Sequence, residues 1–159
     1  VCHSVDAREL HPPAARAEID PEGLGFDLIV WNHPHSGFPK VGEKRGPGFE
    51  QSEAVLERHR RLVADFFRSV LQGGLLRLGG EVHVTHKAGQ PFSQWGIREL
   101  GREAGLEPLG VRPFPLASFP SYVCRRGVGR NAAKMFPMDD SVTFRFGLEA
   151  QGAQPVEEA

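Results

Sequence analysis

Four consecutive residues, Asn32-His33-Pro34-His35, set an amide, two imidazoles and a proline side by side. A carboxamide carries donors and an acceptor, so it can read the edge of a planar base. The proline stiffens the turn, and His35 just beyond it could stack on a base or move a proton. The same residues would also serve as a strand-to-loop turn with solvated histidines. Asp6 is a second candidate, able to accept from an amino group of a bound ring or simply to cap a surface turn. Histidines recur at spacing two (His33, His35) and spacing three (His83, His86). Zinc sites add cysteine or carboxylate ligands in a tight pattern, and a strand would aim His83 and His86 at opposite faces, so no metal centre is expected. Lys40, Lys44 and Arg45 follow the turn, while Arg125, Arg126 and Arg130 lie far along the chain. Each group could touch phosphates, although such residues populate loops everywhere.

These residues need a frame to hold them. Phe26 to Trp31 is a near-continuous apolar run, as expected of a strand covered on both faces, and it delivers Asn32 to the rim of a sheet. Ligands of open α/β sheets bind just beyond the carboxyl ends of the strands. Val1 to Val5 alternates and predicts a first strand ending at Asp6. Residues 11–25 carry turn signals, and residues 36–49, rich in Gly, Pro and Lys, predict a long loop. Val55, Leu56, Leu62, Val63, Phe66, Phe67, Val70 and Leu71 recur at helical spacing, predicting a helix from about Gln51 to Gln72 that Gly73-Gly74 ends. Arg77-Leu78-Gly79-Gly80 reads as a turn and Glu81 to Lys87 as a strand. Val82 and Val84 then share one face, and His83 and Thr85 the other. Ser93 reads as the cap of a short helix from Gln94 to Glu103. Leu106 to Phe114 and Val142 to Phe146 predict two more strands, separated by irregular residues 115–141. Strands alternating with helices predict an α/β domain over residues 1–147: a mostly parallel, Rossmann-like sheet with an antiparallel final strand. Residues 148–159 read as a disordered tail.

The formal net charge is −1, which excludes capture of nucleic acid by bulk charge and leaves only local basic patches. No apolar run has the length of a membrane span. Two cysteines, Cys2 and Cys124, are too few for a disulfide framework and point to a reducing compartment. Val1 opens straight into the first expected strand, which suggests a domain truncated at its N-terminus.

An ordered set of short segments resembles the Rossmann-like domain of the eukaryotic large-subunit ribosomal RNA uridine-N3 methyltransferases, found also in ferredoxin-fold anticodon-binding-domain-containing proteins. The segments are Val5-Asp6-Ala7, Phe26-Asp27, Asn32 to Gly37, Leu62 to Phe67, Gly79 to Thr85, Trp95, Phe119-Pro120-Ser121-Tyr122, Arg125-Arg126 and Thr143 to Phe146. The resemblance implies a class I methyltransferase using S-adenosyl-L-methionine on a ring nitrogen of uridine in ribosomal or other structured RNA, in the nucleus or nucleolus, with the cytoplasm as the alternative. Carried over by position, Asn32, His33, Pro34 and His35 would face the methyl group and the base, with His35 as base. Asp6, Ala7 and Asn32 would face the cofactor, and Lys40, Lys44, Arg45, Arg125 and Arg126 the RNA. The chain departs from the family at His33, where an aromatic residue is usual, at His59 in place of an asparagine, and at Ser121 in place of a glycine. The family's Gly-Glu-Gly-Asn-Phe-Ser-like first strand and loop is absent, which implies weak cofactor binding or none by this chain alone. The alternatives are a non-catalytic RNA- or protein-binding module on the same fold, and a metal-dependent hydrolase using the histidines.

Overall fold

A computed structural model describes residues 5–37, 52–125 and 132–148. The elements in order are α1 (Pro13–Ile19), β1 (Phe26–Asn32), α2 (Glu53–Gln72), β2 (Leu76–Lys87), a 3₁₀ turn at Phe92–Trp95, α3 (Ile97–Ala104), β3 (Leu106–Pro113), a second 3₁₀ turn at Leu116–Ser118, and β4 (Ser141–Leu148). The sheet runs β1-β2-β4-β3. β1 pairs parallel with β2, and β4 inserts between β2 and β3 antiparallel to both. Three strands therefore point one way and the last one reverses, as the order of elements predicts.

One face of this sheet is a core. The apolar stripe of α2 places Val63, Phe66, Phe67 and Val70 against Val82, Val84 and Phe146, and α3 adds Ile97. Trp31 meets Phe66 at 4.5 Å between ring centroids, and Phe67 meets Phe146 edge-on at 4.8 Å. Gly101 permits the close approach of α3: a Cβ there would lie 2.2 Å from the Phe146 ring. Truncating a fully buried ring such as Phe67 costs about 3–5 kcal/mol, so this layer carries the fold.

The other face is open. Leu28, Val30 and Asn32 pair in register with Glu81, His83 and Thr85, and His83 and Thr85 pair in turn with Arg145 and Thr143. β1 is thus not covered on both faces among the described residues, contrary to its apolar sequence: Leu28 and Val30 are 50% and 52% exposed. It is an edge strand whose outer backbone has no partner strand in the sheet among the described residues.

Several boundaries move for local reasons. Residues 13–19, expected as loop, form α1, because Pro13 supplies the helical φ at the start and the alanines that follow favour helix. Arg77-Leu78-Gly79-Gly80 lies inside β2 rather than in a turn, and the β1–β2 register jumps there, from Phe26↔Leu76 to Leu28↔Glu81. The left-handed φ of Gly79 (+79°) accommodates the extra residues. The helix expected over 94–103 is split, since Gly96 at φ +64° ends a 3₁₀ turn before α3 begins. Val5 and Asp6 are not in a strand; Ala7 and Arg8 form a turn, and residues 1–4 lie outside the described residues. β4 continues to Leu148, one residue into the expected tail, and the remainder lies outside the described residues.

Candidate functional site

The polar turn sits at the carboxyl end of β1. The His33 N–H donates to the Thr85 carbonyl at 2.8 Å, continuing the β1–β2 ladder for one more residue. His33 then takes φ +49°, a left-handed conformation that few residues other than glycine adopt and in which histidine is enriched. That reversal separates the four side chains. Asn32 is exposed, and its carboxamide makes no hydrogen bond among the described residues. Pro34 is buried. His33 turns inward, 6.0 Å from His86 and 5.4 Å from Phe136 between ring centroids. Its ring nitrogens are buried without partners among the described residues, and burial followed by the Lys87 charge lowers its pKa.

His35 turns outward. Its Nδ1 accepts the Gly37 N–H at 3.1 Å, so a neutral ring carries its proton on Nε2. Behind it stands an aromatic stack that sequence reading missed. His59 of α2 lies flat on Trp95 (4.0 Å, 12°), His35 meets His59 at 4.6 Å, and His86 of β2 meets Trp95 at 4.2 Å. His59 Nδ1 accepts the Ser36 N–H at 3.3 Å and lies 2.9 Å from Ser36 Oγ, which ties the end of the turn to α2. Burial is the leading cause that pushes His59 down to about 3 and His86 down to about 4, so both stay neutral near pH 7. The only trace in the sequence was the helical spacing that put His59 on the buried side of α2, between Leu56 and Val63. His83 and His86 do point to opposite faces: His83 Nε2 lies 2.7 Å from Glu81 on the open face, while His86 joins the stack. Arg145 also grips Glu81, and these bonds hold the carboxyl at about 2. No cluster of three metal-ligating side chains occurs among the described residues.

Beside Asn32 the open face holds a cavity of about 330 Å³. Val30, Asn32, Thr85 and Thr143 form its floor, and Phe119 and Tyr122 stand on its rim. Thr85 Oγ1 and Thr143 Oγ1 hydrogen-bond at 2.9 Å across the β2–β4 ladder.

A sequence model described as "BMT5-like: rRNA (uridine-N3-)-methyltransferase BTM5-like" matches residues 1–126. The chain belongs to the BMT5-like family. Two curated relatives come from Arabidopsis thaliana. Uncharacterized protein At4g26485 is 38% identical over 122 residues, 76% of this chain and 54% of its own length. Heavy metal-associated isoprenylated plant protein 41 is 35% identical over 144 residues, 91% of this chain and 25% of its own length. The BMT5-like chain thus spans about half of one relative and a quarter of the other. Among solved structures, a TehB-like SAM-dependent methyltransferase from Corynebacterium glutamicum aligns with TM-score 0.36 and 16% identity, covering 79% of this chain and 48% of its own. TTHA0409 of Thermus thermophilus, a putative DNA modification methylase complexed with S-adenosyl-L-methionine, aligns with TM-score 0.40 and 14% identity, covering 96% and 54%.

Asp6 lies in a turn of its own, its carboxylate held by the Arg8 side chain at 2.5 Å and the Arg8 N–H at 2.9 Å, which lowers its pKa to about 2. Ala7 packs against the core cluster. Arg125 is exposed, and its guanidinium donates to the Ala133 carbonyl. Lys40, Lys44, Arg45, Arg126 and Arg130 lie outside the described residues.

Proposed function

We propose that the chain is part of an S-adenosyl-L-methionine-dependent RNA methyltransferase acting on N3 of uridine, with ribosomal RNA as the substrate and the nucleolus as its place of work. The observation that carries this reading is the Asn32–His35 turn of a BMT5-like chain, which offers an uncommitted carboxamide at the carboxyl end of an edge strand. When bound, the cofactor supplies an electrophilic methyl group on a sulfonium. The residues suit such a guest in their chemistry: Asp6 is ionised and can accept from an adenine amino group, provided Arg8 yields.

The chain's own work concerns the base and its proton. Uracil N3 bears a proton and is a weak nucleophile near neutral pH, so it must be held in line and helped to lose that proton. Asn32 orients the base by its edge. His33 and Pro34 set the turn that aims it, with Ser36 and His59 as the anchor behind. His35 takes the proton at Nδ1 once the Gly37 N–H is released. Because N3 is engaged in base pairs, the uridine must be unpaired or flipped out. Lys40, Lys44, Arg45, Arg125 and Arg126 would neutralise phosphates around it.

The test is calorimetry with S-adenosyl-L-methionine on a polypeptide extended at its N-terminus, together with transfer of labelled methyl to a uridine-containing RNA. Binding and transfer that Asn32→Ala abolishes uphold the reading; transfer that survives Asn32→Ala refutes the site. A non-catalytic RNA-binding module is the second reading. It is favoured by His33, which turns its ring toward His86 and Phe136 where the family has an aromatic residue. Absence of heat with the cofactor, alongside retained RNA binding, would select it.

A further inference from the structure

The segment from Phe114 to Tyr122 has no part in the turn chemistry, yet it is closely stitched. The Phe114 N–H donates to the Ser141 carbonyl, and Leu116, Ser118, Phe119 and Tyr122 each donate back to a carbonyl two or three residues earlier. This holds two aromatic side chains at the surface instead of in the core. Phe119 and Tyr122 are each 49% exposed, and Phe119 lies parallel to Phe114 at 5.7 Å and 10°. Large aromatic faces left in water beside a concavity are unusual unless something lies on them. Here the concavity is the 330 Å³ cavity next to Asn32. Its apolar rim is joined by a small set of convergent polar groups: the Asn32 carboxamide and the Thr85–Thr143 hydroxyl pair. Such a mixture suits a flat, hydrogen-bonding ring better than an aliphatic chain.

We infer that this cavity on the open sheet face receives the base of the unpaired target uridine, stacked on Phe119 and Tyr122 with its edge toward Asn32, Thr85 and Thr143. The inference rests on the reading of the chain as an RNA base methyltransferase and adds the pocket that grips the base. The hydroxyls of Thr85 and Thr143 bond to each other, which leaves one O–H of the pair to donate to a uracil carbonyl, and the aromatic faces supply stacking, which every base accepts. Contact with the Cys124 thiol and, after it, burial raise the Tyr122 pKa, so the phenol remains protonated near neutral pH.

Tyr122 is the single tyrosine of the chain, which makes the test direct. Biosynthetic 3-fluorotyrosine places one fluorine resonance on the rim of the cavity. Titration of the 159-residue chain with uridine 5′-monophosphate should move that resonance saturably, while ribose 5-phosphate should leave it in place. Phe119→Ala should weaken the response roughly tenfold, the loss expected for one stacked base. Phe119→Leu keeps an apolar side chain at this half-exposed site, preserving the fold, and should weaken it similarly. Silence toward the nucleotide, an equal response to ribose 5-phosphate, or undiminished binding by Phe119→Leu each overturns the assignment. So does a response to S-adenosyl-L-methionine that the nucleotide cannot displace, which would make the cavity a cofactor subsite. The two readings fail separately. Methyl transfer by the extended polypeptide with KM unchanged in Phe119→Ala sinks the pocket alone, whereas nucleotide binding here without methyl transfer sinks the enzyme alone.

Discussion

The two faces of the β1-β2-β4-β3 sheet come from the same strands and behave as different materials. On the helix-covered face, β2 contributes Val82, Val84 and His86, and the burial is complete enough to keep an imidazole neutral well below its usual range. On the other face, His83 and Thr85 line the cavity and Glu81 holds His83 and Arg145, so ionic and hydroxyl contacts replace packing. One face holds the shape while the other is available for recognition. The strict two-residue period of the strand allows both in a single stretch of sequence.

Substitutions on the two faces should therefore differ most. Phe67→Ala on the covered face should cost about 3–5 kcal/mol in urea unfolding, whereas Val30→Ser on the open face should stay within about 0.5 kcal/mol. Equal costs would mean that the open face is packed in solution. Next in size, Asn32→Ala at the open rim should lower methyl transfer by the extended polypeptide by about 100-fold or more, as loss of an orienting donor does, with the unfolding midpoint unmoved. Gly101→Ala, where the new methyl would meet Phe146, should destabilise by about 1–3 kcal/mol through overpacking.

A subtler contrast is pH. His59 and His86 are held neutral, with folded-state values of about 3 and 4 against 6.5 for the exposed imidazole. Below about pH 6.5 the unfolded chain gains protons that the folded chain refuses. Stability should thus be full above that pH and fall progressively as pH drops toward 4. Urea midpoints at pH 7.5, 6 and 4.5 should decline in that order. His59→Asn, which restores the residue usual in the family, should flatten the decline; an unchanged slope would remove His59 from the account. Glu81 acts in the same direction but lower, losing its contribution between about pH 4.5 and 2.

Much of this was legible in the chain. The apolar run of β1 ending at Asn32, the helical stripe of α2 and the alternation in β2 and β4 each express a local period, and a local period survives folding because it decides which side chains leave water together. The reversal of β4 could be read from the absence of a helix before it. Other features depended on contacts between distant residues, which no window of sequence contains. The position of β1 at an edge turned an apolar strand into a half-exposed one. The stack of His35, His59, Trp95 and His86 assembles from the turn after β1, from α2, the 3₁₀ turn and β2, and only their convergence makes the imidazoles of His59 and His86 neutral. The cavity beside Asn32 likewise joins three strands to the Phe114–Tyr122 segment. The sequence by itself determined that β1, α2, β2, β3 and β4 form and that a polar turn ends a strand, since these follow from local periodicity. The tertiary structure alone decided which turn residues point inward and which outward, because that direction is set by the left-handed φ of His33 and by groups brought together from across the chain.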